Sequence, residues 1–263
     1  MPRFFVKKEQ IKEDKINIIG EDVKHIKNVI RKQVGEKIEI CNQDNEKTYS
    51  CEIIKIEENQ ITSRIIKELE EQESFVNVDI YQGLPKSDKM ELIIQKSVEL
   101  GANSIIPVDM KRCVVKIDSK SENKKIERWQ KISESAAKQC GRNNIPEIKK
   151  IIKIHEIINL IKEYDIVLVA YENEKENYIK KELKKIKEKN SLNKELNIAI
   201  VIGPEGGFEE NEVEKLKQNG AKIITLGKRI LRTETVALNV ISVIMYELSM
   251  IFENVPKNFK HKP

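Results

Sequence analysis

Cysteine is scarce and scattered in this 263-residue chain: Cys41, Cys51, Cys113 and Cys140 form no C-x-x-C pair, which removes the usual zinc and dithiol motifs. His25, His155 and His261 are equally dispersed, so no metal is expected. No apolar run is long enough to span a bilayer and no signal peptide opens the chain. The expectation is a cytoplasmic protein with reduced thiols and no membrane partner. Nucleotide motifs are missing too. A phosphate loop closes on Gly-Lys-Ser/Thr and a dinucleotide site on G-x-G-x-x-G, and the sequence contains neither. A nicotinamide-dependent dehydrogenase loses its signature on that ground.

What remains is a chain able to fold. Apolar residues make up 39% and charged residues 35%, with a net charge of +5, enough hydrophobicity for a packed core. The charge is unevenly placed. Residues 1–70 carry 14 Lys/Arg against 14 Asp/Glu, whereas residues 86–150 carry 15 against 9. This is a modest electrostatic footprint for nucleic acid. It concentrates in Lys111, Arg112, Lys116, Lys120, Lys124 and Lys125, a basic stretch ahead of a helix whose inward stripe includes Trp129.

Residues 1–72 read as a small domain of short strands: Phe4–Val6, Ile16–Ile19, Glu36–Cys41, Tyr49–Ile56 and Gln60–Ile66. Alternation in Lys37-Ile38-Glu39-Ile40 puts one face inward, and Asn42–Asn45 has turn composition. One helix, Asp22–Arg31, interrupts the strands. So few strands lose their edges most economically in a barrel. Arg31 either contacts phosphate or caps its own helix near the C-terminal end. The charged stretch 67–75 is the expected linker.

Residues 73–263 alternate strand and helix, which predicts an α/β domain on a mainly parallel sheet. Pro107 is expected to put its strand at an edge or end. Gly83–Lys89 reads as a turn with Ser87 or Asp88 capping the next helix. The organising stretch is 198–240. Ile198–Ile202 suits a strand buried on both faces and stops at Gly203-Pro204-Glu205-Gly206-Gly207. A helix follows, then Ile223–Leu226, then Gly227 and Arg229-Ile230-Leu231-Arg232-Thr233, opening a long helix through Val236, Val240, Ile244 and Leu248. Two strands ending in glycine loops, one holding a carboxylate and one two arginines, describe a ligand cleft at the carboxyl ends of a parallel sheet.

The pair Ile202-Gly203-Pro204-Glu205-Gly206-Gly207-Phe208 and Leu226-Gly227-Lys228-Arg229-Ile230-Leu231-Arg232-Thr233-Glu234-Thr235 resembles the signature of the RsmE family. These are SPOUT-class methyltransferases acting on N3 of a uridine in 16S ribosomal RNA. His25–Arg31, Pro85-Lys86, Gln95–Gly101 and Gln139–Asn144 are similar to further family stretches, with Ser87 where members usually carry glycine. The resemblance implies a trefoil-knotted SPOUT domain behind an N-terminal PUA-like β-barrel, S-adenosyl-L-methionine as cofactor, and a homodimer in which a second subunit completes the RNA site. The implied cofactor residues are Ala170, Tyr171, Gly203, Glu205, Gly206, Leu226, Gly227, Ile230, Leu231 and Thr235. Candidate RNA contacts are Arg31, Lys86, Arg112 and Arg142. Loss of the uracil N3 proton leaves charge on the flanking carbonyls, for which Arg232 is the candidate stabiliser. Glu205 or Glu234 accepts the proton, or else anchors a helix start or pairs with Arg229. A non-catalytic RNA-binding protein on the same scaffold, and a SPOUT enzyme acting on ribose or guanine, are the alternatives.

Overall fold

The computed structural model describes residues 3–69, 76–189 and 195–253. The chain divides into two compact units, Met1–Glu73 with Glu134–Ile145, and Ser74–Ser133 with Pro146–Pro263. The expected boundary at 72/73 lies outside the described residues. So does most of the expected linker, whose first residues instead prolong a strand: Leu69 N–H donates to Thr48 O.

The first unit holds β1 (Arg3–Val6), β2 (Ile11–Lys12), β3 (Lys15–Ile19), β4 (Lys37–Asn42), β5 (Thr48–Ile56) and β6 (Gln60–Glu68). They form one sheet in the order β1-β4-β5-β6-β3-β2, antiparallel except for β1 against β4. Alternate residues of five strands, among them Phe4, Ile16, Ile38, Ile53 and Ile61, enter a single core. Opposite ends of the sheet can share one core only if the sheet curls around it, and the curl gives the barrel-like form. The expected helix over Asp22–Arg31 is divided: α1 (Glu21–Lys24) passes into one π-type turn, His25–Ile30. Arg31 ends that turn with its backbone in the left-handed region, φ 60°, and its side chain exposed. The hairpin turn after β4 is closed by Asn42 N–H to Lys47 O, with Asp44 N–H on Asn42 Oδ1. Residues 134–145 join this unit through Asn143. Its side-chain oxygen accepts from Arg3 and Thr48, and its carbonyl from the Cys41 thiol.

The second unit runs β7 (Val76–Gly83), α2 (Lys89–Glu99), β8 (Ser104–Asp109), α3 (Ser119–Cys140, whose end belongs to the first unit), β9 (Glu147–Ile148), β10 (Ile152–Lys153), α4 (Ile157–Leu160), β11 (Ile166–Ala170), α5 (Ile179–Lys189), β12 (Leu196–Ile202), α6 (Glu210–Gln218), β13 (Lys222–Ile224) and α7 (Thr233–Glu253). Its sheet has the order β10-β8-β7-β12-β11-β13, with β9 also on β8, and every pairing is parallel. Ile198 to Ile202 are consecutively buried, as expected of a strand covered on both faces. Trp129 is a core residue.

Pro107 is not on an edge strand, since β8 has neighbours on both sides. Lys149 N–H donates to Ile105 O on one side and Leu84 N–H to Val108 O on the other. By alternation Pro107 faces the first side, where β9 stops at Ile148 and β10 starts at Ile152. The missing donor meets a gap in the ladder, so a central strand tolerates it.

Candidate cofactor and active site

Parallel strands deliver their following loops to one edge of the sheet. Here the loops after β11, β12 and β13 enclose a cleft of 510 Å³. Ala170 and Tyr171 come from the first loop, Gly203, Glu205 and Gly206 from the second, and Leu226, Gly227, Ile230, Leu231 and Arg232 from the third. All ten were singled out by sequence. Thr235 and Glu234, on the first turn of α7, do not line the cleft, nor do Lys86 and Arg112, while Arg31 and Arg142 belong to the first unit. Leaving β13 at the sheet edge, the chain returns to the end of β12, where the Thr233 hydroxyl donates to Gly203 O at 2.7 Å. Gln82 Nε2 donates to that hydroxyl at 2.8 Å, so Thr233 ties the ends of β7 and β12 to the start of α7.

The glycines divide by purpose. A Cβ on Gly203 would stand 3.1 Å from the buried Phe208 ring, and one on Gly206 would meet Arg112 Cβ and O at 3.1 Å. At these two positions the absent side chain makes room for the protein itself. At Gly227 φ is +119° and nothing lies within 4 Å of its Cβ position, so its backbone is bare toward open space.

Charge at the cleft mouth centres on Lys89, which the sequence did not single out. Its ammonium lies 3.0 Å from Glu205 Oε1 and 3.2 Å from Glu234 Oε2. Its pairing with Glu205, then with Glu234, raises the lysine above its ordinary pKa despite opposing desolvation. Glu205 also accepts the Lys86 backbone N–H at 3.1 Å. Burial pushes the Glu205 carboxyl up, but Lys89 and the backbone donors outweigh it and hold it below the ordinary value. Neither carboxylate pairs with Arg229, the partner considered from sequence. Among the described residues Lys228, Arg229 and Arg232 form no ion pair, and all three are exposed. One signal for this arrangement was present in the sequence. Ser87, where a glycine is usual, adopts φ 53°, the region that glycine favours, and this turn delivers Lys89 to the rim. Asp88 holds the N-cap position of α2 without a side-chain cap.

The residues fit S-adenosylmethionine. Ala170, Ile202, Leu226 and Val236 give the cleft an apolar lining that suits a flat base, Gly227 leaves open space beside its backbone, and the Glu172 and Glu205 carboxylates suit a cationic ligand. Among the described residues no group of three or more His, Cys, Asp or Glu could hold a metal ion, and no helix is long and apolar enough to cross a membrane.

An RNA methyltransferase domain model matches residues 71–245 and an RNA methyltransferase PUA domain model matches 18–66. Ribosomal RNA small subunit methyltransferase E of Bacillus subtilis is 38% identical over 255 residues, covering 95% of this chain and 98% of the relative. The protein of that name from Buchnera aphidicola of Schizaphis graminum is 34% identical over 246 residues, covering 93% and 95%. The crystal structure of its namesake from Neisseria gonorrhoeae bound to S-adenosyl methionine superimposes with a TM-score of 0.77 at 29% identity, covering 94% of this chain and 97% of that one.

Proposed function

The chain belongs to the ribosomal RNA small subunit methyltransferase E family, with its SPOUT-type fold, and from that premise we propose that it methylates N3 of a uridine in 16S ribosomal RNA. That it is an S-adenosylmethionine-dependent enzyme of small-subunit ribosomal RNA follows from the family; the uridine and the N3 position are the finer reading. S-adenosylmethionine supplies a methyl group already activated on a sulfonium, so the protein's work is orientation and charge. Leu226 and Leu231 flank the base, and the bare backbone at Gly227 lies beside it. Arg232 stabilises the charge that N3 deprotonation leaves on the uracil carbonyls. The observation that carries this is the guanidinium itself: at the cleft, exposed, and without an ion-pair partner among the described residues. Glu205 and Glu234 are read as anions that shape the mouth: both are paired to Lys89, and Glu205, held below its ordinary pKa, is a weak base.

Lys86 and Arg112 are the RNA contacts of the second unit in this reading, and Arg31 and Arg142 those of the first. Thr235, on the first turn of α7 and outside the cleft lining, has no contact with the cofactor in this reading. The protein acts in the cytoplasm as a homodimer. Mass spectrometry of nucleosides from unmodified 16S RNA, incubated with the protein and labelled cofactor, is the test. Labelled 3-methyluridine is expected. Label on ribose or guanine would favour the alternative SPOUT chemistries, and no label despite RNA binding would favour a non-catalytic scaffold.

A further inference from the structure

Lys89 opens α2, Glu205 follows β12, and Glu234 lies in the first turn of α7, so three segments distant in sequence meet at one ammonium. The side chains are 27%, 25% and 18% exposed, a partly desolvated setting in which charges are less screened than in water. Two carboxylates around a single cation are stable; without the cation they repel. No rim arginine takes over, since Arg229 and Arg232 pair with neither carboxylate. Arg232 immediately precedes two anchored residues, Thr233 on Gly203 O and Glu234 on Lys89. Its backbone direction therefore depends on both.

We propose that Lys89 is a positioning residue for methyl transfer. By neutralising Glu205 and Glu234 together it holds the glycine-proline loop against the start of α7, and thereby aims Arg232 over the cleft. Lys89 touches no reacting atom in this assignment; it acts through the two carboxylates. The assignment rests on the methyltransferase reading of the cleft and on the role given there to Arg232.

The test compares Lys89→Met, Lys89→Arg and the double variant Lys89→Met/Glu234→Gln, each first checked for native circular dichroism and melting. S-adenosylhomocysteine affinity is measured by calorimetry, and single-turnover methylation of 16S RNA at saturating cofactor and RNA. Lys89→Met keeps the apolar stem and is expected to lose roughly tenfold to a hundredfold in single-turnover rate, as for a displaced catalytic group. Lys89→Arg should recover most of the rate, because a guanidinium can also bridge two carboxylates. Adding Glu234→Gln to Lys89→Met should recover part of it by removing the repulsion. A near-normal rate in Lys89→Met would overturn the proposal, as would a folded double variant no better than the single one, the result expected if Lys89 were itself a ligand for cofactor or RNA. Wild-type protein that bound no S-adenosylhomocysteine would sink the reading of the cleft and this assignment with it. Failed rescue on a wild type that binds sinks the assignment alone.

Discussion

At the scale of single residues, the cleft separates side chains that hold the protein from those offered to ligands. Gly203 is of the first kind. Gly203→Val would press a branched side chain into the Phe208 ring and the backbone of Gly207, 3.3 Å from the Cβ position. The expected cost is about 1–3 kcal/mol of stability, typical of overpacking, visible as a lower midpoint in denaturant melts. Gly227→Ala touches no protein atom. Its effect should fall on calorimetric affinity for S-adenosylhomocysteine, beside a backbone strain of about 1–3 kcal/mol for an alanine at φ +119°. Equal loss of binding in the two variants, with equal stability, would erase the distinction. Arg232 is of the second kind. Arg232→Ala should leave RNA affinity nearly intact and lower the single-turnover rate by roughly a hundredfold or more, as when one charge-stabilising donor is removed. A normal rate with weakened RNA binding would make Arg232 a phosphate clamp.

At the scale of elements, the basic stretch 111–125 proves to be two things. Before α3, Lys116 is paired with Asp109 at 2.7 Å, and Arg112 donates to Gly206 O at 3.2 Å. Arg112 thereby braces the glycine loop after β12. On α3, Lys120, Lys124 and Lys125 make no ion pair among the described residues and are exposed. If the helix holds phosphates, replacing those three with glutamine should weaken RNA binding and flatten its salt dependence, the slope falling by roughly 0.7–0.9 for every phosphate no longer neutralised. Affinity for the cofactor product should not change. A filter-binding series from low to high salt decides, and an unaltered slope would leave α3 as a solvated face. Sequence spacing could locate the positive charge but not this division, because Gly206, the partner of Arg112, lies on a loop distant in the chain.

At the scale of the whole molecule, the strands and the cleft were legible in sequence because their causes are local. Alternation in β4, the continuous apolar run of β12 and the glycine stops each leave a mark within a few residues. Lys89 was not legible, since its meaning depends on three loops converging, nor was Asn143, whose partners Arg3 and Cys41 lie in β1 and β4. The long helix shows the same limit. Its stripe of Val236, Val240, Ile244 and Leu248, taken with the family resemblance, reads as a surplus apolar face fit for a second subunit, yet Val240, Ile244 and Leu248 are fully buried, with α2, β7 and β12 packed on α7, and Val236 is half-buried at the cleft. That stripe is spent within the chain and cannot hold a partner. Among the described residues, the exposed large apolar side chains of α7 and its neighbour α2 are Tyr246, 66% exposed, and Leu92, 43% exposed. A homodimer built on this face would close on these. Light scattering should give twice the chain mass, and Tyr246→Asp should weaken association by roughly 2 kcal/mol, about thirtyfold in Kd, as for a central aromatic anchor. The melting of the isolated subunit should hardly move, because an exposed side chain contributes little to its own fold. A wild-type monomer with full activity would remove the dimer. A Tyr246→Asp protein that stayed dimeric would move the interface to another face.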